Sequence, residues 1–169
     1  MTDEVLARID ASPARRFFGV GVLVLLAVAV GNIAMMPDSA SFGRRIPLFA
    51  VAAVLVFGAW SMSKATALGL EYTAQGLRDS SGRMIAPEAL ILSVDRGTFA
   101  FKPSNGFVLR LSSAPGLMFR PGLYWRIGKR AGIGGVLRGA ETRAMADMIT
   151  LRLMERDSAA AQAGNDPAS

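Results

Sequence analysis

Hydrophobic and polar positions divide the chain into three regimes. Residues 17–36, FFGVGVLVLLAVAVGNIAMM, run for twenty positions without a formal charge. At ~1.5 Å per helical residue this length matches a hydrocarbon core of ~30 Å, so the pattern predicts a transmembrane helix. A second uncharged run, IPLFAVAAVLVFGAWSMS at 46–63, is bracketed by Arg44 and Arg45 before it and Lys64 after it. Pro47 suits a first helical turn, where its missing N–H is no loss, and Trp60 falls near the far end, where an interfacial indole anchors a span. The nine residues between, PDSASFGRR, suffice for a turn and not for a domain. Residues 17–63 are therefore expected to form an antiparallel helical hairpin behind a polar tail over 1–16. Ala27 with Gly31, and Ala59 with Ser63, are small-residue pairs at the spacing that lets helices approach, although such residues also face lipid. A signal peptide followed by a buried helix is the alternative; the long first run, the residues ahead of it and the lack of a small-x-small cleavage site argue against it.

Beyond Ser63 the apolar period shortens to two, the signature of half-buried strands. Leu68, Leu70 and Tyr72 alternate with Gly69, Glu71 and Thr73; Leu90, Leu92 and Val94 alternate with Ile91, Ser93 and Asp95. Phe99 and Phe101 continue the pattern, followed by Phe107, Leu109 and Leu111, then by Leu123, Trp125 and Ile127. The turn sequences DSSG at 79–82 and KPSNG at 102–106 make these antiparallel hairpins, the second with Asn and Gly where positive φ is favoured. About seven strands are predicted between Ala65 and Val136. From about Ala140 to Met154 the period becomes helical, with Ala144, Met145, Met148, Ile149 and Leu153 on one face. The remaining small polar residues, 156–169, read as a frayed tail.

Chemistry is limited by composition. The chain has neither cysteine nor histidine, which removes disulfides, thiolate nucleophiles, the usual zinc ligands and the commonest general base at neutral pH. The stretch RPGLYWRIGKRAGIGGVLRG at 120–139 resembles a phosphate loop only in composition. Gly122 and Gly128 have five residues between them where four are required, and Arg130 follows Lys129 where Ser or Thr is needed. No run through its glycines has dinucleotide-binding spacing. Asp79, Glu88 and Asp95 have no spacing that pairs carboxylates for acid–base work. Catalytic residues, cofactors and metal ligands are all predicted to be none.

The net charge of +6 is unevenly placed: from Arg96 to Arg143 there are nine basic residues and one acid, Glu141. A juxtamembrane stretch of this kind is drawn to anionic lipid, and Arg120, Arg126, Lys129, Arg130 and Arg138 are the candidate contacts. A solvated strand face whose charges discourage edge pairing is the plainer reading. Nucleic-acid binding is not expected, because Tyr124, Trp125 and Arg126 are adjacent and point to alternate faces. Near the spans, Arg8, Arg15, Arg16, Lys64, Arg78 and Arg83 outnumber Arg44 and Arg45, which places both termini in the cytoplasm of a two-span inner-membrane protein.

Strands closed by one helix, with AQGLRDSSGRMIAPEAL at 74–90, GTFAFKPSNGFVLRL and PGLYWRIGKRAGIGGV, resemble the small bacterial two-helix membrane proteins that carry a pleckstrin-homology-like (PH-like) domain. In the second and third strands of that group a Trp is common where this chain has Ala86, Pro87 and Glu88. The resemblance implies an α+β membrane protein, in which residues 65–155 form a partly open antiparallel barrel capped by the C-terminal helix. It also implies a non-enzymatic interaction or scaffold module that holds a protein partner, or a second copy, at the membrane. An anionic-lipid-sensing module acting through 120–138, or an accessory subunit of a membrane complex, is the alternative.

Overall fold

A computed structural model describes residues 4–36, 42–97 and 105–164. Its first element departs from the expected tail: Val5–Ile9 is strand β1, and it pairs antiparallel with β2, Leu70–Thr73, on the far side of the apolar hairpin. The residue types explain this. Ile9 sits opposite Leu70 and is 1% exposed, while Arg8 lies opposite Glu71 and reaches its carboxylate at 3.6 Å. One face of a short segment thus enters the core and the other pairs charge across the ladder.

Between β1 and β2 the chain forms α1, Pro13–Met35, and α2, Phe42–Ala65, which pack on each other. Both are long and apolar enough to cross a membrane. Ala27, Ala34, Ala59 and, at the end of α2, Ala65 are buried, and the Met62 methyl fills the place a side chain on Gly19 would occupy. Small residues therefore set the approach, as the Ala27 and Ala59 motifs suggested, although Gly31 faces open space. Phe17, Phe18, Leu25, Val28, Val54 and Phe57 are all more than half exposed. A helix pair that is apolar all round and covered by nothing suits a lipid surrounding. The second helix starts at Phe42, ahead of the apolar run, so Pro47 falls in its second turn and not its first. The Arg45 guanidinium donates to Met36 O at 3.5 Å, at the C-terminal end of α1.

The hairpin is tied to the β domain where α1 begins, and its two helices are tied to each other at the same level. Ser12 N–H donates to Val136 O at 2.9 Å, Arg15 to Leu137 O at 3.1 Å and Arg16 to Ser63 O at 3.2 Å. Thr66 closes α2 by bonding Met62 O through both its N–H and its hydroxyl, at 2.9 and 2.7 Å.

Strands β3, Gly76–Asp79, and β4, Met84–Pro87, complete a four-stranded meander in the order β1-β2-β3-β4. A 3-10 turn at Glu88–Leu90 leads to β5, Ile91–Asp95. It is followed by β6, Phe107–Leu111; β7, Met118–Arg120; β8, Tyr124–Ile127; and β9, Arg130–Ile133. These five form a second antiparallel sheet in the order β5-β6-β9-β8-β7. Among the described residues the range 65–136 holds eight strands where about seven were predicted, β1 adds a ninth from ahead of the hairpin, and the two sheets remain separate, so the barrel is not closed. Helix α3, Gly139–Gly164, packs on β1, β5 and β6, reaching both sheets, and buries Met145, Ala146, Ile149 and Leu153. The class is α+β.

Several faces differ from the alternation read in the sequence. In β8 it is Tyr124 and Arg126 that point inward, while Ile127 is 61% exposed. The Trp125 ring finds a seat outside because its cross-strand partner is Gly132, where any Cβ would collide with the indole. A register shift between Ile91 and Ser93 turns Ile91 inward and leaves Leu92 exposed. In α3, Thr142 and Ala146 are buried and Ala144 is not. The predicted tail over 156–169 is helical as far as Gly164: the alanines at 159–161 favour helix, and Arg156 donates to Glu88 O and Ile91 O at 3.2 and 3.1 Å. Asn105 adopts the positive φ, 57°, expected of its turn. Phe99, Phe101 and residues 102–104 lie outside the described residues, as do 37–41 of the inter-helix turn.

Candidate functional site

Where α2 meets the β domain, three segments enclose an open cleft of about 300 Å³. The last turns of α2 supply Trp60, Ser61, Lys64 and Ala65, the end of β7 and its turn supply Phe119, Arg120 and Pro121, and the β3–β4 turn supplies Arg83. Trp60 and Lys64 are four apart, so they share one side of the helix where it ends. Trp60 is 58% exposed and also leans on Phe57, with ring centroids 5.9 Å apart. Phe119 is 68% exposed. The lining carries three cations and no carboxylate.

A buried network fixes the turn that carries Arg83 and the tyrosine across the ladder from Arg120. Asp79 ends β3 and is fully buried; its Oδ1 accepts from the Ser81 N–H, the Ser81 hydroxyl and the Arg83 N–H, while Arg83 O accepts from Asp79 N–H at 3.0 Å. The turn that carries Arg83 is fixed in this way. Asp79 Oδ2 accepts the Tyr124 hydroxyl at 2.9 Å, and Tyr124 lies directly across the ladder from Arg120. Arg120 thus sits beside a fixed tyrosine, and its Nε is buried without a hydrogen-bond partner. Burial would raise the Asp79 carboxyl, but the Ser81, Arg83 and Tyr124 donors outweigh it and hold the group below the ordinary carboxylate range. Burial first, then the bond to Asp79 and its charge, push the Tyr124 hydroxyl up to about 12 against the opposing effect of Arg120.

The five basic residues singled out in the sequence do not form one surface. Arg120 alone joins the cleft, together with the predicted anchor Trp60. Arg126 is not a surface contact: it is 6% exposed and donates to the carbonyls of Gly116, Ile85, Pro115 and Met84 at 2.9, 2.6, 3.1 and 3.4 Å. Its guanidinium staples β4 to the loop ahead of β7, and burial lowers its pKa. Lys129 and Arg130 are exposed at the β8–β9 turn, the opposite end of that ribbon from Tyr124 and the hairpin attachment. Arg138 pairs with Glu141 at 3.0 Å at the start of α3.

Lys64, Arg83 and Phe119 were missed as site residues. Lys64, one turn beyond Trp60 at the end of a span, was recoverable from spacing; Arg83 and Phe119 arrive only through sheet pairing. The three carboxylates considered for catalysis are dispersed: Asp79 holds Tyr124, Glu88 accepts the Tyr72 hydroxyl at 2.7 Å, and Asp95 meets Arg110 at 3.5 Å. Burial, then the Glu88 bond, raises the pKa of Tyr72. Among the described residues no group of three or more potential metal ligands is present. A second cavity, about 360 Å³, lies against the first turns of α3, where Arg96 on its wall is paired with Asp147 at 2.7 Å. No protein-family model matches the chain, and no curated protein or solved structure is similar to it.

Proposed function

We propose that this chain is a membrane-anchored, non-enzymatic interaction module, with α1 and α2 crossing an inner membrane and a PH-like domain lying at its cytoplasmic face. The observation that carries this reading is the insertion of the apolar hairpin between two neighbouring strands. Because β1 precedes α1 and pairs with β2, which follows α2, both ends of the hairpin leave the same domain on the same side. Arg15, Arg16 and Lys64 at these ends favour the cytoplasmic side. The order of two antiparallel sheets and a closing helix supports the PH-like assignment. Strand β7, an outer strand of the second sheet, leaves Phe119 exposed beside Leu117, as a surface that binds a partner or a second copy would.

Topology provides the test. The chain has no cysteine, so single cysteines report cleanly. At Gly43, in the first turn of α2, a cysteine should react with an impermeant maleimide added outside spheroplasts. At Ser158, on the exposed face of α3, it should react only after the membrane is opened. Release of the parent chain by an alkaline carbonate wash, or labelling of both sites from one side, would overturn the reading.

A further inference from the structure

We propose that the cleft formed by Trp60, Lys64, Arg83, Phe119 and Arg120 binds the phosphate of an anionic phospholipid from the leaflet in which α2 ends. The inference rests on the reading that α1 and α2 span a bilayer, and it names the ligand of the junction. Three features select the ligand. Lys64, Arg83 and Arg120 converge with no acid among the lining residues, so the cleft attracts an anion. Arg120 lies directly across the ladder from Tyr124, which Asp79 fixes, and its Nε makes no hydrogen bond within the protein, so the guanidinium lining the cleft is not consumed by an internal acid. Trp60 and Phe119 flank the same opening with more than half their surface free.

Those two rings decide between sources of phosphate. A free anion gains nothing from exposed aromatic surface, whereas the glycerol and first acyl carbons of a lipid cover it, and an indole at the end of a span sits at head-group height. The location agrees, because one wall of the cleft is α2 itself in its final turns. The charge count selects an anionic lipid over a zwitterionic one, since each cation near the surface contributes about a fivefold preference. The Asp79 network fixes the turn that carries Arg83 and the ladder neighbour of Arg120, whereas Lys129 and Arg130 lie exposed at a turn away from the spans.

The test uses the full chain in mild detergent, with lipid adducts counted by native mass spectrometry. Titration with phosphatidylglycerol should give one tightly held lipid per chain, retained at least tenfold better than phosphatidylcholine of equal chain length. Lys64→Gln, at an exposed helix end that bears no packing, should weaken retention about fivefold. Arg83→Gln should do the same, and the double variant should abolish the preference. Lys129→Gln with Arg130→Gln should leave it unchanged. Equal retention of both lipids, an unaffected Lys64→Gln variant, or full displacement by millimolar inorganic phosphate would overturn the proposal, the last by making the cleft a free-anion site. Carbonate extraction of the same variants separates the two levels. Lost preference with intact membrane retention in the variants supports the cleft, and absent preference in a parent chain that resists extraction refutes it alone. Extraction of the parent refutes the reading beneath it.

Discussion

Tyr124 donates its hydroxyl hydrogen to Asp79 Oδ2 at 2.9 Å, joining the first residue of β8 in one sheet to the last residue of β3 in the other. Among the described residues no ladder links the two sheets, so this buried bond, like those from Arg126 to Met84 O and Ile85 O, ties one sheet directly to the other. Its acid dependence follows from sign. Asp79 is held below its ordinary value of 3.8, meaning that the fold favours the ionised form. The stabilisation is therefore fully present above the unfolded pKa near ~4 and is lost as pH falls through the folded value. Asp79→Asn should lower stability at neutral pH by ~1–3 kcal/mol and flatten the decline below about pH 4. Melting temperatures of the full chain in detergent check this; parallel acid limbs for parent and variant would reject the assignment.

The same bond has an alkaline limb of opposite sign. The Tyr124 hydroxyl is raised to about 12, so the fold favours its protonated form. That stabilisation is complete below the unfolded pKa of about 10 and is lost as pH rises from there towards 12. Tyr124→Phe should remove this contribution and leave that of Tyr72, whose pKa is also raised by burial and by Glu88. Phenolate absorbance during alkaline titration should show one fewer late-titrating tyrosine in the variant.

How far these relationships could be read in advance depended on their range in sequence. The hairpin, the three-part organisation and the inward faces of Tyr72, Phe107 and Leu109 were legible because one strand or helix carries its own period. The inward face of β8 was not, because Trp125 and Ile127 are the more apolar pair and alternation alone turns them inward, whereas Tyr124 and Arg126 are the buried ones. What decided it was Gly132 opposite Trp125 and the carbonyls awaiting Arg126, both supplied by other segments. Strand β1 was hidden for the same reason: five residues with two apolar anchors read as tail until β2, beyond the hairpin, provides the ladder. The cleft was half legible, in Trp60 and Arg120, and the Arg83 wall depended on a fold-level tie.

Burial separates Arg126 from the surface cations in a way that mutation can read. Arg126→Met removes the donor shared by four carbonyls and should cost ~2–3 kcal/mol of stability, since buried acceptors then lose a charged partner. Arg130→Gln, on an exposed turn, should change stability by less than ~0.5 kcal/mol. Urea unfolding of the full chain in detergent, followed by Trp fluorescence, ranks the two; equal effects would contradict the staple.

Completion of the first sheet by β1 makes a stronger demand, because it concerns which piece of the chain is a domain. Ile9 is buried against Leu70 and belongs to the same core as Tyr72, Leu77 and Leu153. Ile9→Ala should therefore cost ~2–5 kcal/mol although it lies ahead of the first span. A chain beginning at residue 65 would lose β1 outright, exposing the edge of β2 and part of the seat of α3. The pairing of Ile9 with Leu70 brings Asp10 beside Gly69, whose added Cβ would meet the Asp10 carboxylate at 2.5 Å. Residues 11–68 can then be replaced by an Asn-Gly turn that closes β1 on β2 as a two-residue hairpin. That shortened chain should be soluble without detergent and should melt cooperatively, whereas the chain starting at residue 65 should melt lower by several degrees or aggregate. Circular dichroism of the two under identical conditions decides, and coincident melts would show that β1 contributes nothing to the fold.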